Sequence, residues 1–144
     1  MKKVLFICGK NSGRSQIAEA YLTMLGNGEY QVKSAGLDPA ESVNPLVLEV
    51  MKEEGVDLSD KIPQSAFTLF KNGELFTHVI TVCDAETEAR CPVFPGITKR
   101  LNWPFPDPED AAGTHEEQLD QVRDIRDNIK ARITAFVDEP DETN

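Results

Sequence analysis

The sequence lacks the long apolar run that a membrane span requires. Its longest N-terminal apolar run covers only residues 4–8, whereas a span needs about 18 residues and a signal peptide needs a longer core with a cleavage site behind it. It also lacks any basic stripe, and its net charge is −10, which disfavours binding to nucleic acid. These absences predict a cytoplasmic protein with no membrane partner and no nucleic-acid partner.

Cysteine and histidine are also scarce. The three cysteines form no CxxC pair, and their odd number argues against a secreted disulfide framework. Only His78 and His115 are available to complete a metal site, so we expect no structural zinc and no other metal. The thiols therefore remain available for chemistry.

Acidic residues concentrate in the last quarter of the chain. From Asp107 onward there are 12 acidic and 4 basic residues, so the protein repels anions at long range. Any chemistry on an anion must then depend on a concentrated local positive site. The length predicts one domain over residues 1–137, followed by an acidic, flexible tail over residues 138–144.

Short apolar runs alternate with segments of helical periodicity. Strands are predicted at residues 4–8, 30–35, 78–83 and 97–103, and helices at 17–25, 45–55, 65–73 and from a capping box at 114–117 onward. This order predicts an α/β fold: a single domain with a four-stranded parallel sheet and helices on both faces. Ligands of such sheets bind beyond the carboxyl ends of the strands, where Cys8, Cys83 and Asp107 all fall.

The loop after the first strand carries the strongest chemical signal. Its sequence is Cys8-Gly9-Lys10-Asn11-Ser12-Gly13-Arg14-Ser15. A strand, a loop of small residues and a helix start wrap backbone N–H groups around a point that suits a tetrahedral oxyanion. The same field favours a thiolate at Cys8, Arg14 can hold two oxygens, and the Ser15 hydroxyl can donate to the sulfur.

Two other interpretations of this loop are open. Cys8 can be a buried cysteine that ends a core strand, with Arg14 on a helix surface. A nucleotide-binding P-loop is disfavoured because it needs Lys followed by Ser or Thr after its second glycine, and here Gly13 is followed by Arg14 and Ser15.

Three motifs together resemble a known family. The CX5RS loop, Ser34-Ala35-Gly36 and Asp107-Pro108 resemble the low-molecular-weight protein tyrosine phosphatases over about residues 1–137. Within that fold, Val82-Cys83-Asp84 and Cys91-Pro92 are more similar to the thioredoxin-coupled arsenate reductases, which is the more specific match.

The resemblance implies a mechanism and a set of roles. Cys8 attacks arsenate, for which phosphate or sulfate are analogues, and Asp107 acts as the general acid. Cys83 then attacks Cys8 and expels arsenite, and Cys91 attacks Cys83. The resulting Cys83–Cys91 disulfide is reduced by thioredoxin. No cofactor is required.

Some related reductases hold a potassium ion near the loop, and this chain matches that site only in part. Asn11, Glu19 and Ser34 match its positions, whereas residues 62–64 depart from it. We therefore expect no ion, and we expect Asn11 to brace the loop through side-chain hydrogen bonds.

Two rival functions remain. A tyrosine or small-molecule phosphatase would share Cys8, Arg14 and Asp107, but acidic residues rather than tyrosines follow Asp107. A non-catalytic anion-binding protein would keep the fold alone. In either case Cys83 and Cys91 would be small buried apolar side chains, as most free cysteines are.

Overall fold

A four-stranded parallel sheet forms the centre of the protein. The computed structural model describes residues 1–138. The strands are β1 (Lys2–Cys8), β2 (Tyr30–Gly36), β3 (His78–Thr81) and β4 (Lys99–Asn102). They pair in the order β2-β1-β3-β4, and every pair is parallel. The predicted fold class is confirmed, and β1 lies inside the sheet as its unbroken apolar run indicates.

Helices cover both faces of this sheet. They are α1 (Arg14–Leu25), α2 (Pro45–Lys52), α3 (Ala66–Lys71), α4 (Ala85–Ala89) and α5 (His115–Asp138). The larger core joins α1, α2 and α5 to Val4, Phe6 and Cys8 of β1, and the smaller core joins α3 to Leu5 and Ile7. Successive β1 side chains thus enter opposite cores, as the two-residue period of a strand requires.

Two helix starts follow the predicted caps. The Asn44 side chain accepts a hydrogen bond from the N–H of Leu46 at 2.8 Å, with proline at the first helical position of α2. Thr114 and Glu117 form a reciprocal capping box, with contacts of 3.2 and 3.0 Å, at the start of α5.

Helix α4 is the element that the sequence does not predict. Its five residues bury no side chain, so they leave no apolar periodicity to detect. The Asp84 side chain starts it by accepting from the N–H of Thr87 at 2.8 Å. The predicted strands at 78–83 and 97–103 are also longer than β3 and β4, by one or two residues at their ends.

The C-terminal helix extends one residue beyond the predicted domain boundary. Asp138 is the last residue of α5, and residues 139–144 of the predicted tail lie outside the described residues. Within residues 1–138, no helix is both long and apolar enough to cross a membrane. The cellular location stays a prediction.

Candidate active site

A pocket of about 230 Å³ opens at the carboxyl edge of the sheet. Seven of its lining residues are ones that the sequence predicts for the site: Cys8, Gly9, Lys10, Ser12, Gly13, Arg14 and Asp107. Seven others were not predicted: Asp38, Asn44, Asp84, Thr87, Arg90, Pro108 and Glu109. The edge on which the strand ends converge therefore carries a cavity of a size that suits a small oxyanion.

The Cys8 sulfur receives two hydrogen bonds. The N–H of Asn11 approaches Sγ at 3.2 Å, and the Ser15 hydroxyl lies 2.9 Å from it. The side-chain nitrogen of Asn11, Nδ2, donates to Ser15 Oγ at 2.7 Å. The Ser15 hydroxyl proton is therefore free to point at the sulfur. Two donors on one sulfur stabilise the thiolate, the form that acts as a nucleophile.

Asn11 braces the loop from behind the pocket. It is fully buried and takes a left-handed backbone conformation, with φ of 54°. Its side-chain oxygen accepts from the backbone N–H of Gln64 at 2.9 Å and from the Gln16 amide at 3.2 Å. These contacts fix the orientation of the Asn11 amide, so its nitrogen faces Ser15 as a donor.

The segment after β2 holds the outer side of the loop. The N–H groups of Asp38, Ala40 and Asn44 donate to the carbonyls of Gly9, Lys10 and Ser12 at 2.8 to 2.9 Å. Within residues 1–138, the N–H groups of Ser12, Gly13 and Arg14 donate to no other protein group. The loop thus uses its carbonyls for support and keeps its amides for an anion.

Gly36 allows this close approach of the loop to β2. A Cβ at Gly36 would lie 2.8 Å from the Asn11 nitrogen and from the Lys10 carbonyl carbon. Real Cβ atoms do not approach backbone so closely, and such overpacking costs about 1–3 kcal/mol. The loop therefore cannot keep its position above any larger residue here.

We expect Gly36→Ala to displace the loop and to weaken binding of inorganic sulfate by about tenfold or more, because about 1–3 kcal/mol of strain falls on the binding loop. Isothermal titration calorimetry measures the affinity, and circular dichroism checks the fold. Gln31→Ala, on an exposed position of the same strand, is the matched control and should bind sulfate like the wild type. Unchanged sulfate affinity in Gly36→Ala would contradict the close packing.

Arg14 and Asp107 meet at one side of the pocket. The Arg14 guanidinium donates to the Phe105 carbonyl at 3.0 Å, and its other terminal nitrogen lies 3.5 Å from Asp107 Oδ2. The remaining Asp107 oxygen accepts from the N–H of Glu109 at 2.9 Å, which starts a short 3-10 turn at Pro108–Asp110. Asp107 therefore presents one oxygen toward the pocket, where it can exchange a proton with a bound group.

Two further ion pairs lie on the pocket rim. Lys10 contacts Glu109 at 2.8 Å, and Arg90 contacts Asp38 at 3.0 Å. The Glu109 carboxylate raises the pKa of Lys10. Sequence reasoning noted acidic residues after Asp107 but did not predict Asp38 at the pocket or either ion pair, because an anion site is expected to exclude carboxylates. Their positions in the chain could have indicated them, because Asp38 and Glu109 each follow a predicted motif residue, Gly36 or Asp107, by two positions.

The other two thiols do not line the pocket, and they lie in different cores. Cys83 is fully buried in the core that holds Cys8, whereas Cys91 is buried in the opposite core beside Phe94. All three cysteines are reduced. Burial raises the pKa of Cys83 to about 12, against an opposing effect of the Arg14 charge, and burial also raises the pKa of Cys91. Both are therefore thiols in this conformation at neutral pH.

The residues that match a potassium site contact other protein groups in this structure. Glu19 accepts from Lys61 at 2.6 Å and also from the Ser34 hydroxyl. The Asn11 oxygen is occupied by the two donors from Gln16 and Gln64. Lys61 thus places an ammonium group on the carboxylate that a potassium ion would share, and the absence of the ion stays a prediction. Residues 1–138 also contain no cluster of three or more His, Cys, Asp or Glu that could hold a metal.

Three kinds of comparison with known proteins give consistent matches. The family model for low molecular weight phosphotyrosine protein phosphatase matches residues 3–143. Arsenate reductases of Shouchella clausii and Bacillus subtilis are 36% and 35% identical to the chain, and each alignment covers 95% of this chain and 96% of the relative. The thioredoxin-dependent arsenate reductase of Corynebacterium glutamicum superposes with a TM-score of 0.70 at 31% identity; the match covers 96% of this chain and 60% of that one.

Proposed function

The chain belongs to the low molecular weight phosphotyrosine protein phosphatase family, and we propose that it reduces arsenate to arsenite with its own thiols. One observation carries this proposal: an oxyanion pocket with Cys8 at its base occurs in the same chain as two further reduced thiols. A phosphatase needs only the first thiol, whereas reduction of arsenate needs two electrons and hence two thiols. The names of the relatives agree with this choice.

In the first step the Cys8 thiolate attacks arsenic. The loop amides and Arg14 hold the oxygens of arsenate, so negative charge that develops on them is stabilised. The Asp107 carboxyl donates a proton to the oxygen that leaves as water. The product is a covalent Cys8–arsenic(V) adduct, and no electrons have yet been transferred.

In the second step the sulfurs supply the electrons. The Cys83 thiolate attacks Cys8 Sγ, the S–S bond forms, and the pair of electrons of the S–As bond stays on arsenic, which leaves as arsenite. The Cys91 thiolate then attacks Cys83 Sγ and releases Cys8 as a thiolate. The net change is one arsenic atom reduced by two electrons and one Cys83–Cys91 disulfide formed.

The second step requires movement of the segment between the two thiols. Cys83 and Cys91 lie in opposite cores, so α4 must unwind before their sulfurs can meet. A five-residue helix that buries no side chain opens at low cost. The attack of Cys83 on Cys8 precedes this opening, because both cysteines lie in the same core, and the Arg14 charge lowers the pKa of Cys83 against the effect of burial.

Thioredoxin is the proposed reductant of the disulfide. The surface beside Cys91 supports a protein partner, because Val93 and Ile97 are 79% and 103% exposed and follow Cys91 within six residues. Exposed apolar side chains next to a reactive group are typical of a docking surface. The rival phosphotyrosine substrate is disfavoured by Asp38, Asp84 and Glu109 on the pocket wall, since they repel an acidic peptide.

The proposal is tested by one coupled assay. The full chain is incubated with arsenate, thioredoxin, thioredoxin reductase and NADPH, and NADPH oxidation and arsenite are measured; p-nitrophenyl phosphate serves as the parallel phosphatase substrate. We expect arsenate-dependent oxidation of one NADPH per arsenite over many turnovers. Hydrolysis of the ester without any arsenite would favour the phosphatase instead.

A further inference from the structure

Helix α4 supplies one wall of the oxyanion pocket. Asp84, Thr87 and Arg90 recur every three residues along it and all line the pocket, and Thr87 approaches the loop at Gly9. The structure therefore makes the segment between the redox thiols part of the substrate site. We propose that Arg90 exchanges Asp38 for the bound oxyanion and so keeps α4 folded over the pocket until the anion is reduced. This inference rests on the proposed function.

The present partner of Arg90 is a weak one. The Arg90 and Asp38 side chains are 56% and 70% exposed, and ion pairs between exposed side chains contribute little to stability. An oxyanion inside the pocket is less hydrated and can accept two parallel hydrogen bonds from a guanidinium. Exchange of the carboxylate for the anion is therefore favourable.

The other two cations of the pocket cannot take this role. Arg14 belongs to α1 and donates to the Phe105 carbonyl beside Asp107, and Lys10 belongs to the loop and pairs with Glu109. Among the cations that line the pocket, Arg90 alone lies between Cys83 and Cys91. A bound anion can thus form an ion pair with the redox segment only through this side chain.

The charge of the arsenic species determines when the contact with Arg90 forms and when it is lost. Arsenate is an anion near neutral pH, whereas arsenite is uncharged. When arsenite forms and leaves, Arg90 loses its anionic partner and keeps only its weak contact with Asp38, so the opening of α4 becomes easier. Cys91, which is buried while α4 is folded, would then be released at the stage when Cys83 needs it.

Hydrogen exchange of the peptide that contains residues 84–91 tests the proposal. The probe is inorganic phosphate, a tetrahedral anion that thiols do not reduce, at saturation as checked by calorimetry. In the wild type we expect phosphate to slow exchange of this peptide by about fivefold or more, because it adds a charge-assisted contact to α4. In Arg90→Gln that protection should fall below about twofold while phosphate still binds to the loop.

A second arginine provides the matched control. Arg100 also holds α4, through Glu88 O at 2.9 Å and Glu88 Oε1 at 3.0 Å, but it does not line the pocket. Arg100→Gln should therefore speed exchange with and without phosphate and leave the protection ratio at its wild-type value. A role of Arg90 in folding alone would give this same result, so the two variants separate the interpretations.

The Asp38→Asn variant gives an effect of opposite sign. It removes the carboxylate that competes for Arg90, so phosphate should bind about two- to fivefold more tightly than in the wild type. Full phosphate protection in Arg90→Gln, or no protection in the wild type, would overturn the proposal. Failure of this proposal can be told apart from failure of the proposed function. If phosphate protects α4 but the protein does not reduce arsenate, only the proposed function is wrong.

Discussion

The Cys8→Ser variant is expected to lose arsenate reduction, and any hydrolysis of p-nitrophenyl phosphate, by at least about 1,000-fold. The Cys8 sulfur accepts hydrogen bonds from the Asn11 N–H and the Ser15 hydroxyl, and these stabilise a thiolate. A serine hydroxyl keeps its proton under the same conditions, because its acidity is far lower, and is a poor nucleophile. The coupled NADPH assay and release of p-nitrophenolate measure the two activities.

Anion binding separates loss of chemistry from loss of the site. The loop amides and Arg14 are unchanged in Cys8→Ser, so inorganic phosphate should bind within about threefold of the wild-type affinity. A variant that neither binds phosphate nor turns over would only report a damaged loop. A Cys8→Ser enzyme that keeps more than a tenth of the arsenate reductase activity would remove Cys8 from the mechanism.

The centre of the site could be predicted because its signals are local. An apolar strand, a loop of small residues and a helix start follow one another from residue 4 to residue 25, and the structure places Cys8 and Arg14 in one pocket. The position of Asp107 followed from the rule that strand ends share an edge. These inferences need sequence order and strand direction, but no knowledge of side-chain packing.

The rim of the pocket could not be predicted because it depends on contacts between distant segments. Arg90 meets Asp38 and Lys10 meets Glu109 across 52 and 99 positions of the chain, and a single sequence carries no record of such pairs. Helix α4 was missed for a different reason: none of its residues is buried, so it has no apolar face for sequence reasoning to detect, and the Asp84 cap stabilises it instead. The residues that would couple substrate to the redox segment are thus those with the weakest sequence signal.

Burial keeps the two redox thiols apart in the folded chain. Cys83 and Cys91 lie in different cores, and their pKa values are raised by burial, so they do not react with each other while α4 is folded. Formation of the Cys83–Cys91 disulfide requires the segment to open, and opening brings the two sulfurs together. Whether α4 is folded or open therefore determines whether the Cys83–Cys91 disulfide can form.

Cys83→Ser and Cys91→Ser are each expected to lose multiple-turnover arsenate reduction with thioredoxin by at least about 100-fold, because the relay is broken when either sulfur is absent. Each should keep whatever hydrolysis of p-nitrophenyl phosphate the wild type shows, since neither residue lines the pocket. The ester assay is thus an internal control for folding and for the Cys8 loop.

A single turnover without thioredoxin distinguishes the two variants from each other. Cys91→Ser retains Cys8 and Cys83, so it should release up to one arsenite per chain and stop with a Cys8–Cys83 disulfide, seen by mass spectrometry as a loss of two hydrogen masses. Cys83→Ser should release almost no arsenite, because no second cysteine remains in the core that holds Cys8. Equal yields from both variants would show that Cys91 reaches Cys8 directly, and sustained turnover of either with thioredoxin would disprove the ordered relay.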